Sequence, residues 1–143
     1  IINSLYLTPE KLEQLVKERY ERYETVKANE QMAEEYLTED ADVVLVAYGA
    51  SSRVARSAVN KAREKGIKAG LVRPITLWPF PTQALNRAAS HAKNFLVVEM
   101  SMGQMVDDVK LAIDCKVPVH FYGRTGGMIP TPAEVLEQIE ALL

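Results

Sequence analysis

"DVVLVAYGASSRVARSAVNKAREKGIKAGLVR", residues 42–73, is the stretch whose reading decides the fold. "DVVLVAYG" is a near-continuous apolar, β-branched run, the pattern of a strand covered on both faces. "SSRVARSAVNKAREKG" then changes period: Val54, Ala55, Ala58, Val59 and Ala62 share one helical face, Ser51 or Ser52 is placed to cap the start, and Gly66 to stop the end. "KAGLVR" is the next strand. Strand, helix and strand in this order make a right-handed crossover over a parallel pair.

The same alternation continues downstream. "TQALNRAASHAKN" reads as an Ala/Leu-faced helix with Thr82 able to cap it, and "FLVVEM" as the third strand. "GQMVDDVKLAIDCK" follows, with Met105, Val106, Val109, Ala112 and Ile113 as its apolar side, and "VPVHFYG" is the fourth strand. In "TPAEVLEQIEALL", Thr131, Pro132 and Glu134 form a capping box ahead of an amphipathic helix. Repeated β-then-α units imply an α/β fold, a mainly parallel sheet between two layers of helices. In such sheets ligands and partners meet the carboxyl ends of strands, so the informative turns follow Tyr48, Arg73, Glu99 and Tyr122.

The 143 residues, 48% hydrophobic with a formal charge of −2, suit one α/β domain with an appendage. Residues 1–41 hold ten acidic and five basic side chains, whereas residues 42–143 hold nine acidic and twelve basic. The appendage is a helix from "LTPEKLEQLVKERYERYETVKANEQ", with Thr8 as its candidate cap, Pro9 at the first position and a narrow stripe of Leu12, Leu15, Val16, Tyr20, Tyr23 and Val26. The stripe suits a connector packed on a neighbouring domain or subunit, or a docking helix of the same domain. The charge pattern argues against nucleic acid, and no apolar run is long enough for a membrane helix. A single cysteine, Cys115, and the lack of a secretory leader point to the cytoplasm.

Candidate binding or interface residues gather in the strand-end turns; none is read as catalytic and no metal site is expected. "YGASSR" offers helix-terminal amides, the Ser51 and Ser52 hydroxyls and Arg53 to an anion, although a capping turn that binds nothing is the better reading. In "VVEMSMGQM", Glu99 either pairs with Arg73 or accepts amide hydrogen bonds, Gln104 starts the next helix, and the methionines read as plastic packing. "YGRTGGMIPTP" carries Arg124 as a planar donor fork and Gly126 and Gly127 for positive φ or close approach. His91 and His120 do not form a site, and Cys115 has no activating base near it in sequence. In "GLVRPITLWPFP", Pro74 is expected to end ladder pairing after Arg73, Pro79 and Pro81 to fix the exit path, and Trp78 and Phe80 to anchor it by burial, at a subunit-facing connection.

Together "DADVVLVAYGASSRVARSAVNKAREKGIKAGLVRPITLWPFP", "FLVVEMSMGQMVDDVKLAI" and "VPVHFYGRTGGMIPTPAEVLE" resemble the C-terminal, transketolase-C-like domain of the α subunit of 2-oxoacid:ferredoxin oxidoreductases, in the 2-ketoisovalerate and 2-oxoglutarate branch. The resemblance implies a three-layer α/β/α fold with a five-stranded, mainly parallel sheet whose one antiparallel strand lies near "AEEYL", residues 33–37. It divides the chain into a helical linker from an upstream thiamine-diphosphate-type domain (1–32) and the α/β domain (33–143). It further implies oxidative decarboxylation of a 2-oxoacid to acyl-CoA with reduction of ferredoxin. The complete enzyme would use thiamine diphosphate, magnesium, iron–sulfur clusters and coenzyme A, with other subunits and ferredoxin as partners. The sequence lacks a GDG-type metal–diphosphate motif and a CxxCxxC run. This domain is therefore expected to bind no cofactor and to be inactive alone, serving assembly and active-site shaping. The alternatives are the 2-oxoglutarate or pyruvate branch of the same family, a free-standing anion-binding module, and a small independent enzyme using Glu99, which lacks a second catalytic group.

Overall fold

Strand β2 (Val43–Val46) is buried at every residue, and the remaining elements are arranged so as to cover it. The computed structural model describes residues 5–143; residues 1–4 of the expected linker lie outside the described residues. Helix α1 (Pro9–Asn29) comes first, then β1 (Ala33–Tyr36), β2, α2 (Gly49–Glu64), β3 (Ala69–Pro74) and α3 (Thr82–Ala89). They are followed by β4 (Asn94–Glu99), α4 (Met105–Ala112), β5 (Val119–Gly123) and α5 (Pro132–Glu140). The five strands lie in the order β1-β3-β2-β4-β5, all parallel except β1, which runs antiparallel to β3. The three-layer fold and its antiparallel strand thus match the expectation.

Alternation along β2 sends its side chains to opposite helical layers. Val44 and Val46 pack with Leu85 and Ala88 of α3 and Met105 and Val109 of α4. Val43 and Leu45 pack with Ala55, Ala58 and Ala62 of α2 and with Val135 and Ile139 of α5. The small residues of α2 let its backbone approach the sheet closely. Gly66, at φ +79°, ends that helix as expected, and Thr131 with Glu134 forms the capping box of α5.

Several local expectations are corrected. Helix α2 begins at Gly49 with Tyr48 in the capping position, so neither serine caps it; Ser51 and Ser52 are buried in the first turn, and the Ser52 hydroxyl donates to Gly49 O at 2.7 Å. Thr82 is likewise the first residue of α3 rather than its cap, and its hydroxyl donates to Gln31 Oε1 at 3.2 Å. Thr8 does occupy the capping position of α1, with Pro9 next, but makes no side-chain capping bond.

Pro74 does not end the ladder. It faces Ala33 of β1, and the next residue, Ile75, donates its N–H to Met32 O at 2.9 Å. Pro74 therefore sits at a non-hydrogen-bonded position, and its missing donor faces the side that β2 has already left, since β2 pairs with β3 only as far as Val72.

Gly70 marks where the turn after β1 crosses the sheet. A β-carbon there would lie 2.5 Å from Leu37 O and 3.0 Å from Ala41 Cβ, and backbone cannot swing aside as a flexible side chain can. Leu37 is itself held at φ +52°, with its carbonyl accepting from Arg63 Nη2 at 2.8 Å. Gly70→Ala should therefore cost about 1–3 kcal/mol of stability, as overpacking does. Denaturant unfolding of the two chains measures it.

Candidate functional site at the carboxyl edge of the sheet

The carboxyl ends of β2 and β4 diverge where the strand order reverses, and between them lies a cleft of about 230 Å³ lined by Gly49, Ser51, Glu99 and Gln104. Glu99 is its one buried charge, 3% exposed. Both carboxylate oxygens are committed: they accept the backbone N–H groups of Gln104 (3.2 Å), Met105 (3.2 Å) and Val106 (3.0 Å), and the Ser101 hydroxyl at 3.0 Å. Ser101 Oγ in turn accepts Gly103 N–H at 3.2 Å. Glu99 is thus the acceptor for the orphan amides at the start of α4, and the charge suits the positive end of that helix. Of the two readings left open by the sequence, amide acceptance holds and pairing with Arg73 does not. Gln104 contributes through its backbone.

Arg73 is claimed by a residue the sequence does not single out. On β1, Glu34 stands opposite Arg73 and accepts its Nε at 2.8 Å, while its other oxygen pairs with Arg56 of α2. Arg56 also lies over the Tyr36 ring, 4.2 Å from its centroid. Arg53, one turn earlier on α2, is exposed; its carbonyl accepts the Ser57 hydroxyl at 3.2 Å, while its guanidinium has no hydrogen-bond or ion-pair partner among the described residues. Arg53, Arg56, Arg73, Glu34 and Ser52 line a cavity of about 600 Å³ that meets the first cleft at Gly49. Arg73 first, with Arg56 adding and desolvation opposing, holds the Glu34 carboxyl below the usual carboxylate range. Cross-strand register makes this cluster, and only alternation along "AEEY", which puts Glu34 and Tyr36 on one face, hints at it in the sequence.

The last loop is tied to the same edge. Arg124 donates its backbone N–H to Glu99 O at 3.1 Å, and its guanidinium pairs with Glu134 of the α5 capping box. Its guanidinium is therefore engaged within the fold, which supports the alternative of a merely rigid loop. The Thr131 amide, at 2.7 Å, and hydroxyl hold Glu134 below the usual carboxylate range. Gly126 and Gly127 take φ +64° and +85°, the positive values expected of them.

Trp78 lies apart from these residues. It is 56% exposed, so it does not anchor the Pro-rich segment by burial; Phe80 packs on the core instead. The Trp78 ring meets Tyr23 of α1 edge-on at 5.2 Å, and Tyr20, Tyr23, Lys27 and Trp78 outline a shallow groove. Helix α1 buries none of its residues. Met100 and Met102 are also exposed, which overturns their reading as packing residues. His91 Nε2 lies 2.7 Å from Thr38 O and His120 of β5 lies with its Nε2 3.2 Å from Asn94 Oδ1 of β4, so the two histidines have separate partners.

Among the described residues no group of three or more His, Cys, Asp or Glu is placed to hold a metal ion, and one cysteine cannot ligate an iron–sulfur cluster. The residues present do not fit a magnesium–diphosphate or cluster site. Among the described residues no helix is long and apolar enough to cross a membrane.

With this geometry in view, residues 41–135 match the family described as pyruvate:ferredoxin oxidoreductase core domain II. The chain belongs to that family. It is 44% identical over 142 residues to the ketoisovalerate oxidoreductase subunit VorB of Methanothermobacter marburgensis, covering 99% of this chain and 40% of that protein. Its fold matches a chain of the 2-oxoglutarate:ferredoxin oxidoreductase from Magnetococcus marinus with a TM-score of 0.77 at 20% identity, over 97% of this chain and 24% of that one. A split-gene transketolase matches with a TM-score of 0.66 at 21% identity, over 78% of this chain and 41% of the other. The resemblance drawn from the three motifs is upheld.

Glu99→Ala would strip the acceptor from three amides and a hydroxyl, and should lower stability by about 2–4 kcal/mol with a matching fall in Tm. Glu34 acts through pH. Its folded-state pKa is depressed, so its contribution is present above the ordinary glutamate range and lost as pH falls from that range through the lower folded-state value. In Glu34→Gln, unfolding followed across acidic pH should show a weaker decline than in the parent chain.

Proposed function

We propose that this chain forms the noncatalytic α/β domain of the α subunit of a 2-oxoacid:ferredoxin oxidoreductase of the ketoisovalerate branch. The observation that carries this is the likeness to VorB along nearly the whole chain. The assembled enzyme would oxidatively decarboxylate 2-ketoisovalerate to its acyl-CoA and pass the electrons to ferredoxin in the cytoplasm. Thiamine diphosphate, magnesium, iron–sulfur clusters and coenzyme A would supply the electron sink, the electron path and the acyl acceptor from other parts of the complex. Residues 1–32 would link this domain to a thiamine-diphosphate-type domain, and residues 33–143 would shape and support the neighbourhood of the active site.

Two exposed apolar surfaces support an assembly role. Tyr48, Met100, Met102, Met128 and Ile129 stand at the carboxyl edge, and Leu12, Val16, Tyr20 and Tyr23 continue along α1 to Trp78. Side chains of this kind, set close together and open to solvent, suit contact with other subunits. The strand-end groups support a noncatalytic role, because both Glu99 oxygens are taken up by partners within the fold and Arg124 is paired with Glu134.

Calorimetric titration of this chain with thiamine diphosphate and magnesium should give no binding that depends on magnesium or exceeds that of inorganic phosphate. Micromolar binding of that kind would overturn the division of labour. In the reconstituted complex, kcat/KM should be higher for 2-ketoisovalerate than for pyruvate or 2-oxoglutarate, and Trp78→Ala should weaken association with the partner subunits about tenfold, as loss of an interface aromatic does. Assembly at undiminished affinity would remove Trp78 from the interface.

A further inference from the structure

Beside the start of α2, positive charge exceeds the negative charge that faces it. Arg53, Arg56 and Arg73 line one cavity with a single carboxylate, Glu34, for company. Glu34 gives one oxygen to Arg73 and the other to Arg56, so both guanidinium groups keep further N–H groups free, and Arg53 keeps its whole donor fork. The local balance, three cations against one anion, leaves two charges uncompensated.

We propose that this cavity binds a phosphoryl dianion, as inorganic phosphate or as the phosphate of a small phosphorylated molecule. The charge of such a group equals the surplus, whereas one carboxylate would leave a guanidinium unmatched. Arg53 and Arg56 approach from α2 and Arg73 from β3, so their donors reach the site from two elements and suit a tetrahedral group with several acceptor oxygens rather than a planar one. At about 600 Å³ the cavity exceeds the bare ion, leaving space for an organic portion. Ala50 is its one apolar lining residue, so that portion must be hydrophilic.

The guanidinium groups carry the assignment, and the local backbone adds potential of the same sign. The first hydrogen bond of α2 runs from Ser52 N–H to Tyr48 O, and the first turn contains no acidic residue. The inference is independent of the reaction proposed above: it needs no other subunit and is tested on this chain alone.

The experiment is calorimetric titration of the 143-residue chain with inorganic phosphate and, separately, glycerol 3-phosphate, at low ionic strength. Each should bind saturably at one site. Arg53→Gln should weaken both about tenfold, the scale of one charge-assisted contact, and leave the unfolding temperature of the free chain unchanged, because the Arg53 guanidinium has no partner among the described residues and the bond from the Ser57 hydroxyl to its carbonyl is kept. Lys61→Gln, an exposed cation elsewhere on α2, should leave binding unchanged. Competition between the two anions, with the monoester tighter, identifies a phosphorylated small molecule; equal affinity identifies the free ion. Unsaturable binding, acetate binding as tightly as phosphate, or equal losses in Arg53→Gln and Lys61→Gln would overturn the proposal.

Discussion

Burial of β2 on both faces is the constraint from which the remaining architecture follows. Each Val or Leu side chain taken fully out of water contributes about 1.5–3 kcal/mol, and β2 has such a residue at all four positions. Because alternate residues point to opposite faces, a helical layer is needed on each side. Connections that deliver helices to both sides of a sheet are crossovers, which make neighbouring strands parallel and collect the loops at one edge. The carboxyl-edge cleft, the Glu99 network and the arginine cavity all lie where that constraint sends the chain.

The same physics sets how much could be read from the sequence. A strand buried on both faces announces itself as "VVLV", and alanine-rich helix faces announce a close neighbour, so the layers and their order were legible. Capping was legible where one residue type settles it, as in Thr131 and Glu134, whose side chains and amides satisfy each other locally. It failed at Ser51 and Ser52, because the start of a helix depends on backbone angles, and α2 begins at Gly49. Pro74 misled for a related reason. Whether a proline breaks a ladder depends on which side of the strand its missing donor faces, and that is fixed by the register with β1.

Candidate site residues stand at the strand ends expected from their place in the sequence, and the partner was legible only for Glu99, as one of two readings. Glu99, Arg73 and Arg124 do stand at the strand-end edge, yet each is engaged by a group from another element or turn: α4 amides, Glu34, and the α5 cap. Such pairings arise from three-dimensional register. No spacing in the sequence links Glu34 to Arg73, although β1 and β3 put them directly opposite one another. Glu34 and Arg56 were missed for this reason, since each is an unremarked charge on an amphipathic segment until the strands are paired.

The proposed supporting role rests on the state of the polar groups at the carboxyl edge. A catalytic acid or base needs an unspent lone pair or proton facing the substrate. Glu99 has neither oxygen to spare, and turning it outward would leave the amides of α4 unsatisfied in a buried place. Arg124 is held in the same way by a carboxylate that also closes a helix cap. Edge loops locked to their own helices make a rigid surface, and rigid surfaces with exposed Met, Tyr and Trp side chains lose little conformational freedom on docking. That combination favours a domain that positions its neighbours, with Arg53 as the strand-end cation whose donors are still free to meet something from outside.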